Sequence, residues 1–456
     1  MRHLPSSSAL VLALASFLGT SCGCHGREVA DAGSVDDAGD AAAGDAGDPA
    51  AGWDAGPPPV IVASGCWSTP IVLAPPYEVA GARVVALPQG DALVVWVQFG
   101  NLEDGVVAQR IAPSGRRGPR QVLAPRLLVP RVFELPWLAS NPKGDAVAVW
   151  RRFEADGGGA LMTARFAEDA GWGPTAELET GGFRNPRVAL TNSGEAFVAW
   201  STVEEFSVRV RRTRGGRFLP TETVSAPGFR TEWVSLAASD ATVLAWSELG
   251  PFTSVTKAII WAGDERRDTV IDGPAESPGR VGSWSVAAWG SSAVASLFEN
   301  PERYHLFQRT GDAGWRRGPA IEATLESVPR PFVGPSGDFE AWYSSDARDG
   351  GLEVVVRRFD GTTWSEPERV ATQSEDSRGI SSVSNGRGHS ATFWSRGQSL
   401  VVLRRWADGG VVDSIGGLAV GGRQMDIAVA PTGDLWLVAQ ADEPEFRFVL
   451  LHCPAP

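Results

Sequence analysis

The sequence predicts an all-β protein folded as a β-propeller, a ring of about eight four-stranded blades, with seven as the alternative count. Three observations predict it. A 15-residue pattern recurs through the chain: a short apolar run, a turn rich in Gly, Asn and Asp, then an alternating run ending in tryptophan. Each copy is followed by segments that read as two further strands. The two ends of the chain carry complementary fragments of one repeat.

The pattern is clearest in PRVALTNSGEAFVAW (186–200). Three other gap-free copies align with it on the final tryptophan: ARVVALPQGDALVVW (82–96), PWLASNPKGDAVAVW (136–150) and EWVSLAASDATVLAW (232–246). Looser copies lie at 285–298, 330–342, 380–394 and 425–439, which makes eight. The seven intervals from Trp96 to Ala439 average 49 residues, close to the ~50 of a propeller blade of kelch length. After the tryptophan strand comes a third strand, as in VVVRRF (354–359). A turn and a fourth strand follow, as in WSEPERV (364–370), with related openings at Trp172, Trp315 and Arg116. A sheet packed between two neighbours is apolar on both faces, and large flat side chains fill the wedge between sheets. The recurrent tryptophans are therefore read as packing residues. The pairs Gly90-Asp91, Gly144-Asp145, Gly337-Asp338 and Gly433-Asp434 fall at the hairpin between first and second strands, where Gly supplies a positive φ and Asp bonds local backbone.

At the N-terminal end, CWSTPIV (66–72) matches a fourth strand with no three strands before it; at the C-terminal end, 446–451 is a third strand with no fourth after it. The last blade is expected to take its outermost strand from the N-terminus. Cys66 opens that strand and Cys453 follows the third strand, so a Cys66–Cys453 disulfide is expected, two free thiols being the alternative. Cross-linking residues so far apart constrains the unfolded chain by on the order of 4–5 kcal/mol.

Composition supports an all-β reading: 53 Gly, 32 Pro and 18 Trp stand against three Met and no long helix-forming run. The formal charge of −13 argues against a nucleic-acid partner, which demands a basic footprint. Residues 1–60 hold two arginines and eight carboxylates, net −6, leaving −7 for the remainder. Arg2 and His3 precede the apolar stretch 9–18, then Gly19-Thr20-Ser21 and Cys22, which reads as a secretory signal over 1–21. No later stretch reaches the roughly 18 apolar residues of a membrane span. Residues 22–60 are mostly Gly, Ala, Asp and Pro and read as an extended tether, having almost nothing to bury. The propeller is then 61–456.

Candidates for chemistry are few. Five scattered histidines, the absence of Cys-x-x-Cys and the absence of a calcium-loop pattern lead us to expect no metal and no cofactor. No G-x-S-x-G occurs. Arginines do recur near the starts of first strands: Arg83, Arg187, Arg230, Arg280, Arg330, Arg378 and Arg423. Loops after the second strands are acidic, at Glu103-Asp104, Glu154, Glu204-Glu205, Glu248, Glu299, Asp346, Asp349 and Asp442-Glu443. Both sets fall on one face of a propeller. One reading is a solvated salt-bridge network, each pair worth little. In the other, Arg83, Arg187, Arg330 and Arg423 bind a carboxylate or sulfate group by forked hydrogen bonds, with Tyr343 reaching the channel mouth.

Leu18-Gly19-Thr20-Ser21-Cys22 resembles a bacterial lipoprotein signal. The resemblance implies cleavage before Cys22, acylation of its thiol, and, with Gly23 next, outer-membrane placement; plain cleavage and release into the periplasm or medium is the alternative. Exported lipoproteins often carry a low-complexity spacer like 22–60. Asp312-Ala-Gly-Trp315 and Asp169-Ala-Gly-Trp172 resemble the aspartate-box turns of sialidase-type propellers. That resemblance implies a central pocket with three arginines, a tyrosine nucleophile, its carboxylate partner and an acid. The expected function is a surface-tethered, monomeric, non-catalytic propeller that binds a protein or cell-envelope polymer through its loop face. The alternatives are a carbohydrate-active enzyme of sialidase-like or lyase type, and an envelope-assembly scaffold.

Overall fold

In a computed structural model, the described residues run from 61 to 455, apart from 75–78, 99–104, 126–135, 154–158, 251–252, 276–281, 301–302, 323–328, 335–337, 347–351, 374–379, 386–387, 397–398, 407–408, 417, 419–424 and 442–446. The signal segment, the tether and Cys22 lie outside the described residues. Among the described residues no helix is long and apolar enough to cross a membrane.

The strands form eight antiparallel sheets, one for each sequence repeat. Blade 1 is built from Val79–Ala86, Ala92–Gln98, Gly105–Ile111 and Gln121–Pro125. Later blades repeat this order, with inner strands Trp137–Ser140, Phe183–Leu190, Arg230–Ala238, Gly282–Trp289, Arg330–Val333, Ser381–Ser384 and Met425–Val429. Each inner strand touches that of the next blade, and the inner strand of blade 8 touches that of blade 1, so the ring is closed.

The core is distributed over the blade interfaces. Trp96, Trp150, Trp200, Trp246, Trp342 and Trp394 are all buried, Phe298 takes the position in blade 5, and Ala439 takes it in blade 8. A buried aromatic removes about 150–250 Å² from water, worth several kcal/mol at ~25 cal/mol per Å². The indole N–H groups also need partners. Trp96 donates to Gln98 at 3.1 Å and Trp246 to Glu248 at 3.1 Å, each two residues further along the same strand, while Trp342 donates to Glu340 at 2.8 Å, two residues before it. Two residues is the strand period, which places these groups on one face.

The seam closes as the chain ends imply. Ile71–Val72 pairs antiparallel with Phe448–Cys453 and becomes the fourth strand of blade 8. Cys66 and Cys453 form the disulfide, with Cα atoms 5.0 Å apart and a sequence separation of 387. A second attachment was not anticipated: Val62–Ala63 pairs with the outer strand of blade 7, Gly409–Gly416, as a fifth strand. The N-terminal segment therefore straps blade 7 before completing blade 8. Gly65 makes the crossing between them. Its φ is +86°, and a Cβ there would lie 2.1 Å from Asp413 Oδ1, so only glycine fits.

Candidate functional site: the central channel

The hairpins between first and second strands use one device in blades 1, 2, 3, 7 and 8. The N–H of Leu87, Asn141, Thr191, Asn385 and Ala430 each donates to the carbonyl four residues on. Gly90, Gly144, Gly194 and Gly433 supply positive φ there. The adjoining carboxylates bond nearby groups: Asp91 pairs with Arg110 at 2.5 Å and Asp434 with His452 at 2.9 Å. Asparagines at the hairpin starts stitch blade to blade. Asn141 Nδ2 donates to Thr191 O at 3.3 Å, and Asn385 Nδ2 donates to Ala430 O at 2.8 Å.

Strand register places the arginines. In seven of the blades, all but blade 5, the inner-strand residues that pair with the position just before the wedge residue are Arg83 opposite Val95, Trp137 opposite Val149, Arg187 opposite Ala199, Ser235 opposite Ala245, Pro331 opposite Ala341, Ser381 opposite Phe393 and Asp426 opposite Val438. They form one level around the channel, and Arg330 directly precedes Pro331. Arg83, Arg187 and Arg330, from blades 1, 3 and 6, meet there: Arg187 is within electrostatic reach of both others.

Their surroundings differ. Arg83 faces Asp426, whose Oδ2 accepts the Val84 N–H at 3.0 Å. Burial pushes the Asp426 carboxyl up, with the Arg83 charge and two backbone N–H groups opposing. Arg187 donates to its neighbour's carbonyl, Pro186 O, at 3.0 Å. Desolvation lowers its pKa first, then the like charges of Arg83 and Arg330. Desolvation also lowers that of Arg330. Among the described residues, neither Arg187 nor Arg330 has a carboxylate acting on it. Protein surrounds Arg330 on most sides, yet the residue keeps solvent-accessible surface, so the group stands in a wet channel and its desolvation is partial. Both guanidiniums stay charged, because arginine does not titrate in the accessible range.

The other candidates lie elsewhere. Tyr343 is 4% exposed on the second strand of blade 6, packed with Phe298, Tyr304, Ala341 and Val355 between blades 5 and 6. Burial raises its hydroxyl pKa, and a hydrogen bond with Arg357 opposes this. It does not share the channel with the arginines. Arg423, Arg280 and Arg378 lie outside the described residues. Arg230, at the start of its strand, pairs with Glu232 at 2.7 Å and covers the Phe206 ring. Of the acidic positions, Glu248 belongs to the core: it is 2% exposed, accepts from Trp246 and from Ala226 N–H at 2.9 Å, and pairs with Lys257 at 2.7 Å. Among the described residues no cluster of three or more metal-ligating side chains occurs.

A cavity of about 370 Å³ opens at the hairpin end of the channel, within the range of small-molecule sites. Ser140, Asn141, Asn192, Ser239 and Asn385 line one arc, and Trp289, Phe332 and Val333 line another; Ala86, Ala237, Ala238, Ala287 and Ala288 leave the space open. The sequence reading missed this set, because it placed the site at the opposite, loop face. The available signal was the run of Asn and Ser at the ends of inner strands, just before the Gly-Asp turns.

No protein-family model and no curated protein matches the chain. Solved structures match at low identity. A fungal lectin of Aleuria aurantia, described as a six-bladed β-propeller with a fucose recognition mode, is 11% identical over 61% of this chain and 93% of that one, with a TM-score of 0.36. Prolyl oligopeptidase B of Galerina marginata is 10% identical over 81% of this chain and 56% of that one, TM-score 0.46. A Hadza microbial sialidase is 12% identical over 70% and 74%, TM-score 0.34.

Proposed function

We propose that the protein is a non-catalytic binding propeller that holds an anionic group of an envelope polymer or a protein partner on the arginines of its channel. One observation carries this reading: Arg187 lies within electrostatic reach of Arg330 and Arg83, and among the described residues no carboxylate acts on Arg187 or Arg330. Two like charges held near one another cost free energy that an arriving anion relieves. A guanidinium offers a planar fork of donors that matches carboxylate, sulfate and phosphate. Asp426 faces Arg83, whereas among the described residues no carboxylate acts on the other two. The carbohydrate-active enzyme reading relied on Tyr343 beside these arginines, and Tyr343 packs between blades instead.

The N-terminal sequence supports export and tethering through Cys22, with the monomeric propeller displayed beyond the tether at the outer membrane. Replacing Arg187 and Arg330 together with alanine is expected to abolish retention on an immobilised acidic glycan. Unchanged retention removes the proposal. Metabolic labelling with radioactive palmitate tests the anchor, since Cys22→Ala is expected to lose the label.

A further inference from the structure

The hairpin-end cavity and the arginine level belong to one channel. Pro331 lines the cavity and directly follows Arg330, so the arginine level lies further along the same inner strands, past the residues that line the cavity. Along blade 3, Arg187 lies five residues from the cavity-lining Asn192, roughly 16 Å at ~3.3 Å per strand residue. The cavity walls have two characters. Trp289 and Phe332 form an apolar arc, and Ser140, Asn141, Asn192 and Asn385 form a polar one. The amides are held in place by the fold. Asn141 commits both ends of its amide to Lys143 N, Asp145 and Thr191 O, while Asn192 Nδ2 donates to Asp240 Oδ1 at 2.8 Å. The Asn192 Oδ1 and the Ser140 hydroxyl have no hydrogen-bond partner among the described residues.

We infer that this channel is a recognition site for an acidic saccharide, entered from the hairpin end. The inference rests on the anion reading above and adds the ligand class and the route. The anionic substituent sits on Arg187 and Arg330. A second sugar residue of the chain, nearer the hairpin end, sets its C–H face against Trp289 and its hydroxyls toward Ser140 and Asn192. An aromatic face opposite fixed amide and hydroxyl groups suits a molecule that is apolar on one side and polar on the other.

Calorimetric titration of the propeller with trigalacturonate, neutral maltotriose and tetraglutamate tests this, using wild type, R187A/R330A, Ser140→Trp and Asn192→Ala. Thermal melts confirm that each variant is folded. Trigalacturonate is expected to bind wild type, at least about tenfold more tightly than either maltotriose or tetraglutamate. R187A/R330A is expected to weaken it about a hundredfold, the scale of two charge-assisted bonds. Ser140→Trp, which narrows the mouth, is expected to weaken it about tenfold, and Asn192→Ala severalfold. Wild-type affinity in Ser140→Trp and Asn192→Ala, with loss in R187A/R330A, keeps the anion site and overturns entry from the hairpin end. Equal binding of tetraglutamate overturns the saccharide assignment. Full affinity in R187A/R330A overturns both readings.

Discussion

The indole N–H of Trp436, in blade 8, donates to the carbonyl oxygen of Gly90, in blade 1, at 2.7 Å across 346 residues of sequence. Both groups are buried at the seam where the ring closes, and Gly90 is held at a φ of +89° by its hairpin. Trp436→Phe keeps most of the ring volume and leaves that carbonyl without its donor. The expected loss is about 1–3 kcal/mol, measured by the shift in urea midpoint at constant slope.

The Cys66–Cys453 disulfide spans the same seam. It stabilises chiefly by restricting the unfolded chain. Cys66→Ser is expected to destabilise by on the order of 4–5 kcal/mol, and a reducing agent to lower the wild-type melting temperature toward the variant's. A melting temperature unaffected by reductant would show that strand pairing alone closes the ring.

Glu340 is 2% exposed and gathers two guanidiniums and an indole. Arg405 and Arg358 pair with it, Trp342 donates to it at 2.8 Å, and Arg405 also lies 5.0 Å from the Trp342 ring centre. Glu340→Ala removes the buried carboxylate of this group; Arg358 keeps its pairing with Glu368, and Arg405 is left beside the core. The expected cost is about 3–5 kcal/mol, with Glu340→Gln recovering the indole bond but not the charge pairing. Chemical denaturation of the two variants separates these effects.

Asp426 offers a pH test. Its folded pKa is raised above the unfolded value, so the native state holds the proton more tightly. Stability from this group is therefore fully present below the ordinary carboxylate range and declines as pH rises toward the folded value. Asp426→Asn is expected to flatten that part of the stability profile in melts from acid to neutral pH. At pH values where Asp426 is ionised the substitution also frees the Arg83 charge, and affinity for inorganic sulfate there is expected to tighten a few-fold. Weaker sulfate binding in this variant would place Asp426 among the groups that hold the anion site together.

Asp360 has the opposite sign. The backbone N–H groups of Thr362 and Thr363, both at 2.8 Å, and their hydroxyls hold its carboxylate well below the usual range. Its contribution is present above the unfolded pKa and is lost as pH falls through the folded one. Asp360→Ala is expected to lower stability at neutral pH and to converge with wild type at low pH, so that the acid limb becomes shallower in melts taken across that range.

By itself the sequence determined the repeat, the four-strand blade and the wedge tryptophans, and led to the expectation of about eight blades and of a Cys66–Cys453 disulfide; the structure decided for eight over seven and for the bond over two free thiols. These rest on local signals: period-two apolar runs, Gly-Asp turns, and two fragments that complete one repeat. Only the tertiary structure decided which arginines meet. Arg83, Arg187 and Arg330 lie on different blades, and their convergence depends on strand register and ring curvature, which no local pattern encodes. Arg230 begins its strand in a similar context and instead pairs with Glu232, because it stands at the rim where that carboxylate is in reach. Tyr343 alternates into the interface between blades, since a one-residue shift along a strand reverses the face. The strap of Val62–Ala63 on blade 7 was likewise invisible, being two residues of backbone pairing with no side-chain signature.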